Sequence, residues 1–272
     1  MRALAPGVPM HVIRAGRGAP PLVFVHGFAC TSADWEVPFA LLQAATTVVA
    51  CDLRGHGASP GEPAECSIEQ YGADVASLLA ELDLGPAVLV GHSMGCRVVL
   101  ECCRSAPARV SGVVLVDGSR IGAGEPVAAE HAMREQLRDA GYERFMRGFF
   151  EEMFVASGDP GVKAAIIDRS RQMRADAGRA LLPRLVGWDA RDMEGALDAV
   201  RVPMMVIQTT TLDAERRRLS LDEDETSSWL ELVRQHVPGV RVEILPGLGH
   251  FPHVEAPASV SALIADFIAR DL

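Results

Sequence analysis

The run Gly91-His92-Ser93-Met94-Gly95 carries the strongest chemical signal in the chain. It follows the apolar stretch Ala87-Val88-Leu89-Val90 and precedes a helical pattern over 94–105. A serine between glycines at a strand-to-helix bend is held on a strained turn. The glycines let backbone and helix pass closely, and the hydroxyl projects above the strand tip. The next amide, that of Met94, then lies at a helix N-terminus, where a developing negative charge is favoured. Ser93 is therefore the candidate nucleophile. A serine hydroxyl needs a base at neutral pH, and histidine is the usual one. His250, in Gly249-His250-Phe251 after the last apolar run, is preferred to His253 because it stands at a strand tip after glycine. Cys96, just past the serine, is read as a small packed residue under the bend and not as a reactive thiol.

The elements that must position these groups follow from the hydropathy pattern. Short continuous apolar runs occur at 22–26, 47–51, 87–90, 112–116, 204–207 and 240–245. Helical patterns lie between them, one opening at Ser67 with Gln70 three residues on, a side-chain cap signal. Apolar strands alternating with helices predict a mostly parallel sheet covered on both faces. From about 120 to 200 no strand signal occurs. The stretch is helical and rich in Arg, Met and Phe, too long for an ordinary loop. The expected organisation is a core of residues 1–119 and 201–272, interrupted by a helical cap or lid over 120–200.

Four segments together, His26-Gly27-Phe28, Asp52-Leu53-Arg54-Gly55-His56-Gly57, Gly91-His92-Ser93-Met94-Gly95 and Gly249-His250-Phe251, resemble the α/β-hydrolase superfamily. The resemblance spans both halves of the core. It implies an α/β-hydrolase fold with a helical cap, and a Ser–acid–His triad in that chain order. It implies a second oxyanion donor from the loop after the first strong strand, for which the Phe28 amide is the candidate beside Met94. His26 is read as a structural residue of that loop, and Asp52–Gly57 as a structural turn. The acid is where the sequence departs from the family's usual Gly-x-x-Asp, expected here after the fifth apolar run. Here that strand continues Gln208-Thr209-Thr210-Thr211-Leu212-Asp213, with no glycine and the aspartate one residue late. Asp117, at the tip of the strand after the serine's helix, is preferred because it is in register, with Asp213 as the alternative.

Candidates for substrate binding are Trp35, close after His26-Gly27-Phe28, and Phe149 and Phe150 within the Phe145–Phe154 cluster of the helical stretch. Plain packing is the competing role for each. The reaction implied is hydrolysis of an ester, lactone or thioester of a small to medium apolar substrate, with Ser93 carrying the acyl group. The alternative is a cofactor-free lyase, cyclase, haloperoxidase or perhydrolase, or a C–C bond hydrolase, on the same site. Aspartate would be expected in place of Ser93 in an epoxide hydrolase or dehalogenase.

The bulk properties narrow the classes further. The 272 residues carry a net charge of −10, which argues against a nucleic-acid partner. Six cysteines include no C-x-x-C pair, and no Cys/His spacing suggests zinc. No secretory leader pattern and no apolar run of roughly 18 residues is present, so no membrane association is expected. The expectation is a cytoplasmic monomer or homodimer that acts on a small molecule without cofactor or metal.

Overall fold

The computed structural model describes residues 2–4, 8–156, 158–213 and 217–272. Its central sheet has seven strands: β1 (Val12–Ala15), β2 (Leu22–Val25), β3 (Val48–Cys51), β4 (Ala87–His92), β5 (Val110–Val116), β6 (Met204–Gln208) and β7 (Arg241–Ile244). Their order across the sheet is β7-β6-β5-β4-β2-β3-β1. Edge strand β1 runs antiparallel to β3, and all other pairs are parallel. The apolar runs of the sequence coincide with β2–β7 to within about two residues. Strand β1 escaped that reading because Val-Ile-Arg-Ala at a half-exposed edge alternates too briefly to register.

Continuous apolar strands are possible because both faces are covered. Leu22, Phe24, Val88, Val90, Val114 and Ile207 share one cluster with residues of α1 (Glu36–Leu42) and α11 (Pro257–Asp271). Val23, Val25, Leu89, Val113 and Leu115 face the other way, toward α2 (Ile68–Glu81) and α3 (Met94–Ser105). Each such side chain contributes roughly 1.5–3 kcal/mol by leaving water. The start of α2 is fixed as the sequence indicated, with Ser67 Oγ accepting the Gln70 N–H at 3.2 Å.

Between β5 and β6 the chain forms α4 (Pro126–Ala140), α5 (Tyr142–Glu151), α6 (Pro160–Ser170), α7 (Ala175–Arg191) and α8 (Met193–Asp198). No strand occurs among the described residues of this insertion. Helix α7 lies along α4, while α8 turns back to pack on α3 and on α9 (Ser228–His236). The Trp188 indole, fully buried, donates to Glu101 of α3 at 3.3 Å and ties the insertion to the core. The described residues contain no helix long and apolar enough to cross a membrane.

Trp35 corrects an expectation. It precedes α1 and stacks on Phe24 with ring centroids 4.6 Å apart, wholly buried on the α1/α11 side of the sheet. The candidate nucleophile's helix covers the opposite side, so Trp35 packs the core and lines no substrate cavity.

Candidate active site

Ser93 sits where β4 gives way to α3, with φ +53°, a left-handed conformation that a non-glycine residue adopts under strain. Such strain is worth about 1–3 kcal/mol and persists only where the surroundings enforce it. They do so here by close approach. A Cβ on Gly91 would lie 2.3 Å from the Gly95 carbonyl oxygen, and one on Gly95 would lie 2.4 Å from that of Val25. The Ser93 N–H donates to the Val116 carbonyl at 3.1 Å, locking the bend to β5. Cys96 completes the packing. Its thiol donates to the Gly91 carbonyl at 3.1 Å, and burial pushes its pKa up to about 12, which leaves no thiolate for chemistry. Phe28 and Met94 line the same cavity as Ser93.

The three sequence candidates Ser93, His250 and Asp117 meet at the tips of the strands. His250 Nε2 lies 2.8 Å from Ser93 Oγ, and Nδ1 lies 2.6 Å from Asp117 Oδ2. With Nδ1–H donating to the carboxylate, the Nε2 lone pair faces the serine hydroxyl. The loop that carries His250, which leads into α10 (Pro252–Glu255), is pinned by His92, whose Nε2–H donates to the His250 carbonyl at 2.7 Å. Burial, aided by the positive charge of Arg218 and opposed by Asp117, lowers the His250 imidazole to about 4, so the ring is neutral at pH 7.

Asp117 is fully buried, with φ +44°, a conformation that Asp tolerates better than most residues. Its Oδ1 accepts the amides of Thr209 and Thr210, both at 2.8 Å, and its Oδ2 accepts the Thr210 hydroxyl at 2.6 Å. The Thr209 hydroxyl has one proton and two acceptors in reach, Asp117 Oδ1 at 2.9 Å and the Gly249 carbonyl at 2.7 Å. Burial alone would raise the Asp117 carboxyl pKa, but His250, Arg218 and Thr210 outweigh it and hold it below the ordinary value. Asp213 lies elsewhere. It is engaged with Arg217, accepting from Nε at 2.8 Å and from the amide at 2.8 Å. The threonines standing where the family pattern has glycine thus serve the aspartate of the neighbouring strand.

The remaining histidines have structural surroundings. His26 Nε2 accepts the Leu53 amide at 2.9 Å while Nδ1–H donates to the Gly27 carbonyl at 2.8 Å, which holds the loop that presents Phe28. His253 is buried between Trp35 and His92, its ring centroid 4.2 Å and 4.3 Å from theirs. Asp52 accepts the amides of Ser32 at 2.8 Å and Ala58 at 2.9 Å, closing its turn as expected.

A cavity of about 300 Å³ opens over Ser93. Phe28, Met94, Ile121 and Phe149 give it apolar walls, with Leu182 and Leu185 of α7 on the insertion's side. Phe150, expected beside Phe149, is instead 1% exposed and packs against Phe251 at 6.4 Å. Adjacent positions on a helix face different ways, so only one of the pair reaches the cavity. A larger cleft, about 640 Å³, lies between α5 and α6 and holds none of the three candidate catalytic residues.

Two buried arginines at the cavity were missed in the sequence. Arg97, four residues after Ser93 on α3, forms a two-pronged pair with fully buried Asp189 of α7, at 2.6 and 2.7 Å. It also donates to the carbonyls of Ser93 at 3.2 Å and Ser119 at 2.7 Å. A single arginine inside the apolar stretch 94–103 was the available signal. Arg218, on a hairpin pairing Arg218–Ser220 with Thr210–Leu212, places Nη1 3.3 Å from Asp117 Oδ2 and 2.6 Å from Thr210 Oγ1. Neither hairpin strand has an apolar run to announce it.

Comparison with known proteins agrees with this architecture. The chain resembles, at 23% identity and a TM-score of 0.81, a thermophilic esterase from Thermogutta terrifontis, with 98% of this chain and 95% of that one covered. It is 26% identical to a 2-(acetamidomethylene)succinate hydrolase from Mesorhizobium japonicum over 96% of this chain and 92% of that protein. A further relative, 34% identical over 56% of this chain, is the dihydrolipoyllysine-residue acetyltransferase component of an acetoin cleaving system from Cupriavidus necator, of whose length the match spans only 40%. The model of the alpha/beta hydrolase family matches residues 22–263. The chain belongs to the alpha/beta hydrolase family.

Proposed function

We propose that the protein is a serine hydrolase that cleaves an ester, lactone or thioester through an acyl-enzyme on Ser93. The observation that carries this reading is the unbroken hydrogen-bond path from Ser93, which lines a cavity, through His250 to Asp117, at 2.8 and 2.6 Å. His250 Nε2 takes the hydroxyl proton as Ser93 Oγ attacks the carbonyl carbon, and Asp117 stabilises the imidazolium that results. The amides of Phe28 and Met94 donate to the oxyanion, each worth roughly 10²–10³ in rate. His250 then returns the proton to the leaving alkoxide or thiolate. Water, activated by the same imidazole, releases the acyl group and restores the serine.

The helical insertion acts in this reading as the lid that selects substrate, and its apolar side chains suit a small to medium acyl or alcohol group. Fluorophosphonate labelling tests the nucleophile directly. The expected result is stoichiometric labelling of Ser93, none in Ser93→Ala, and a burst of released phenol from short p-nitrophenyl esters. Labelling elsewhere, or full ester turnover in Ser93→Ala, overturns the reading.

A further inference from the structure

We propose that Arg218 is a substrate-binding residue that holds a free carboxylate, so that the preferred substrates are esters or lactones bearing a second, anionic carboxyl group. The inference rests on the hydrolase reading above and narrows its substrate class.

The cavity holds two arginines, and their surroundings differ. Arg97 spends its guanidinium on Asp189, Ser93 and Ser119, and is internally satisfied. Arg218 is different. Its side chain is only 9% exposed, yet its hydrogen bonds run from Nη1 alone. Nε and Nη2 have no hydrogen-bond partner among the described residues. The residue lines the same cavity as Ser93. Neither atom is among the buried polar groups left unsatisfied, so both remain open to solvent, and the edge formed by Nε and one Nη matches the two oxygens of a carboxylate.

The charge balance points the same way. Arg97 and Asp189 cancel. Arg218 and the single charge of Asp117 cancel while His250 is neutral. When His250 takes the serine proton, the new negative charge goes to the oxyanion at the Phe28 and Met94 amides, while on the other side of the ring the one carboxylate of Asp117 faces two cations. Glu152, the other acid at the cavity, is solvent-exposed at its rim. An arginine beside the acid therefore opposes the imidazolium that the reaction needs, and its charge already depresses His250. A substrate carboxylate on the free edge of Arg218 removes that opposition. It leaves Asp117 to the imidazole, and it fixes the scissile carbonyl relative to Ser93.

The test compares p-nitrophenyl esters of equal chain length that end in carboxylate, methyl or ammonium: the adipic acid monoester, the hexanoate and the 6-aminohexanoate. In the parent protein kcat/KM should fall in that order, the carboxylate exceeding the methyl ester by about tenfold or more. In Arg218→Gln the ratio of carboxylate to methyl ester should collapse toward one, and Arg218→Lys should fall between. A flat or reversed order in the parent, or a ratio that survives in Arg218→Gln, overturns the proposal. If Arg218→Gln does not fold, the charge order in the parent decides alone. If the parent turns over none of the three esters, the hydrolase reading fails separately. Calorimetry with disodium adipate then judges Arg218: binding to the parent that is lost in Arg218→Lys supports the carboxylate site, and no binding to the parent refutes it.

Discussion

The floor and the roof of the cavity are built on different principles. On the floor, position comes from backbone. Ser93 and Asp117 end the adjacent parallel strands β4 and β5, and both take positive φ. The Phe28 and Met94 amides are backbone groups, and His250 is aimed by hydrogen bonds at its carbonyl and its Nδ1. On the roof, Met133, Phe145, Phe149, Leu182 and Leu185 supply apolar side chains from three helices. A strained, hydrogen-bonded floor fixes reacting atoms to within fractions of an ångström. A roof of side chains fixes only shape, and shape can change without disturbing the chemistry. Floor substitutions should therefore act on kcat, and roof substitutions on KM.

The sharpest test of the floor uses its two candidate acids. Asp117→Asn keeps the side-chain shape and the tolerance of positive φ, but removes the charge opposite Nδ1 and permits the wrong tautomer. Turnover of a p-nitrophenyl ester should fall by about 10⁴. Asp213→Asn, which disturbs a half-open pair with Arg217, should stay within twofold of the parent. Equal losses in the two variants would mean that position on the strand tip is not what selects the acid.

Floor and roof are clamped by Arg97 and Asp189, and the clamp has an exposed counterpart between the same helix α3 and the chain after α7. Asp189→Asn leaves a buried guanidinium without its partner, a loss of about 3–5 kcal/mol. At roughly 2–4 °C per kcal/mol for a chain of this size, the melting temperature should drop by about 6–20 °C. Asp192→Asn breaks the pair with Arg104, whose side chain is 37% exposed, and should cost less than about 1 kcal/mol. A melting temperature unchanged in Asp189→Asn would remove the clamp from the account.

Acidity probes the floor without mutation. In the proposed mechanism His250 is a base only when neutral, and its pKa is lowered to about 4, mainly by burial. The acid limb of kcat/KM should therefore lie below 6.5, the ordinary imidazole value, with a plateau through neutrality and a tenfold fall per pH unit below the limb. Stability follows the same sign. A histidine held neutral in the fold binds its proton more readily unfolded, so stability is lost as pH falls below 6.5. His56 and His253, each lowered to about 3 chiefly by burial, add to that loss. An acid limb at or above 6.5 would contradict the burial of the base.

The same contrast explains what the sequence disclosed. Glycines at fixed spacing about a serine announce the bend at Ser93, because only glycine fits at 91 and 95, where a Cβ would strike a carbonyl. Asp117 was legible as an aspartate in register at a strand end. The sheet was legible because strands buried on both faces must be continuously apolar. The insertion was legible only as helical. Which of Phe149 and Phe150 faces the cavity depends on how α5 is rotated against its neighbours, which no local pattern encodes. Trp35 was misplaced for a related reason, since nearness in sequence to His26-Gly27-Phe28 does not reveal on which side of the sheet α1 will lie. Arg218 stayed invisible because its hairpin is a single pairing of two three-residue strands, neither of which has an apolar run of its own.

Those neighbouring phenylalanines give the roof its most discriminating test, and the smallest expected effect on activity. Phe149 is partly buried at the cavity, its ring edge-on to Phe28 at 6.3 Å and stacked on Phe145 at 5.8 Å. Truncating it to alanine removes a wall that meets the Phe28 side chain but leaves Ser93 and His250 in place. KM for a medium-chain ester should rise about three- to tenfold, the worth of roughly one lost apolar contact of 1 kcal/mol or so, while kcat stays within twofold. Phe150→Ala removes a ring that is buried behind that wall and should do the reverse, destabilising the protein by about 3–5 kcal/mol with little change in KM. If Phe149→Ala lowers kcat as strongly as it raises KM, the roof takes part in positioning the reacting atoms, and the division between a chemical floor and a selective roof does not hold.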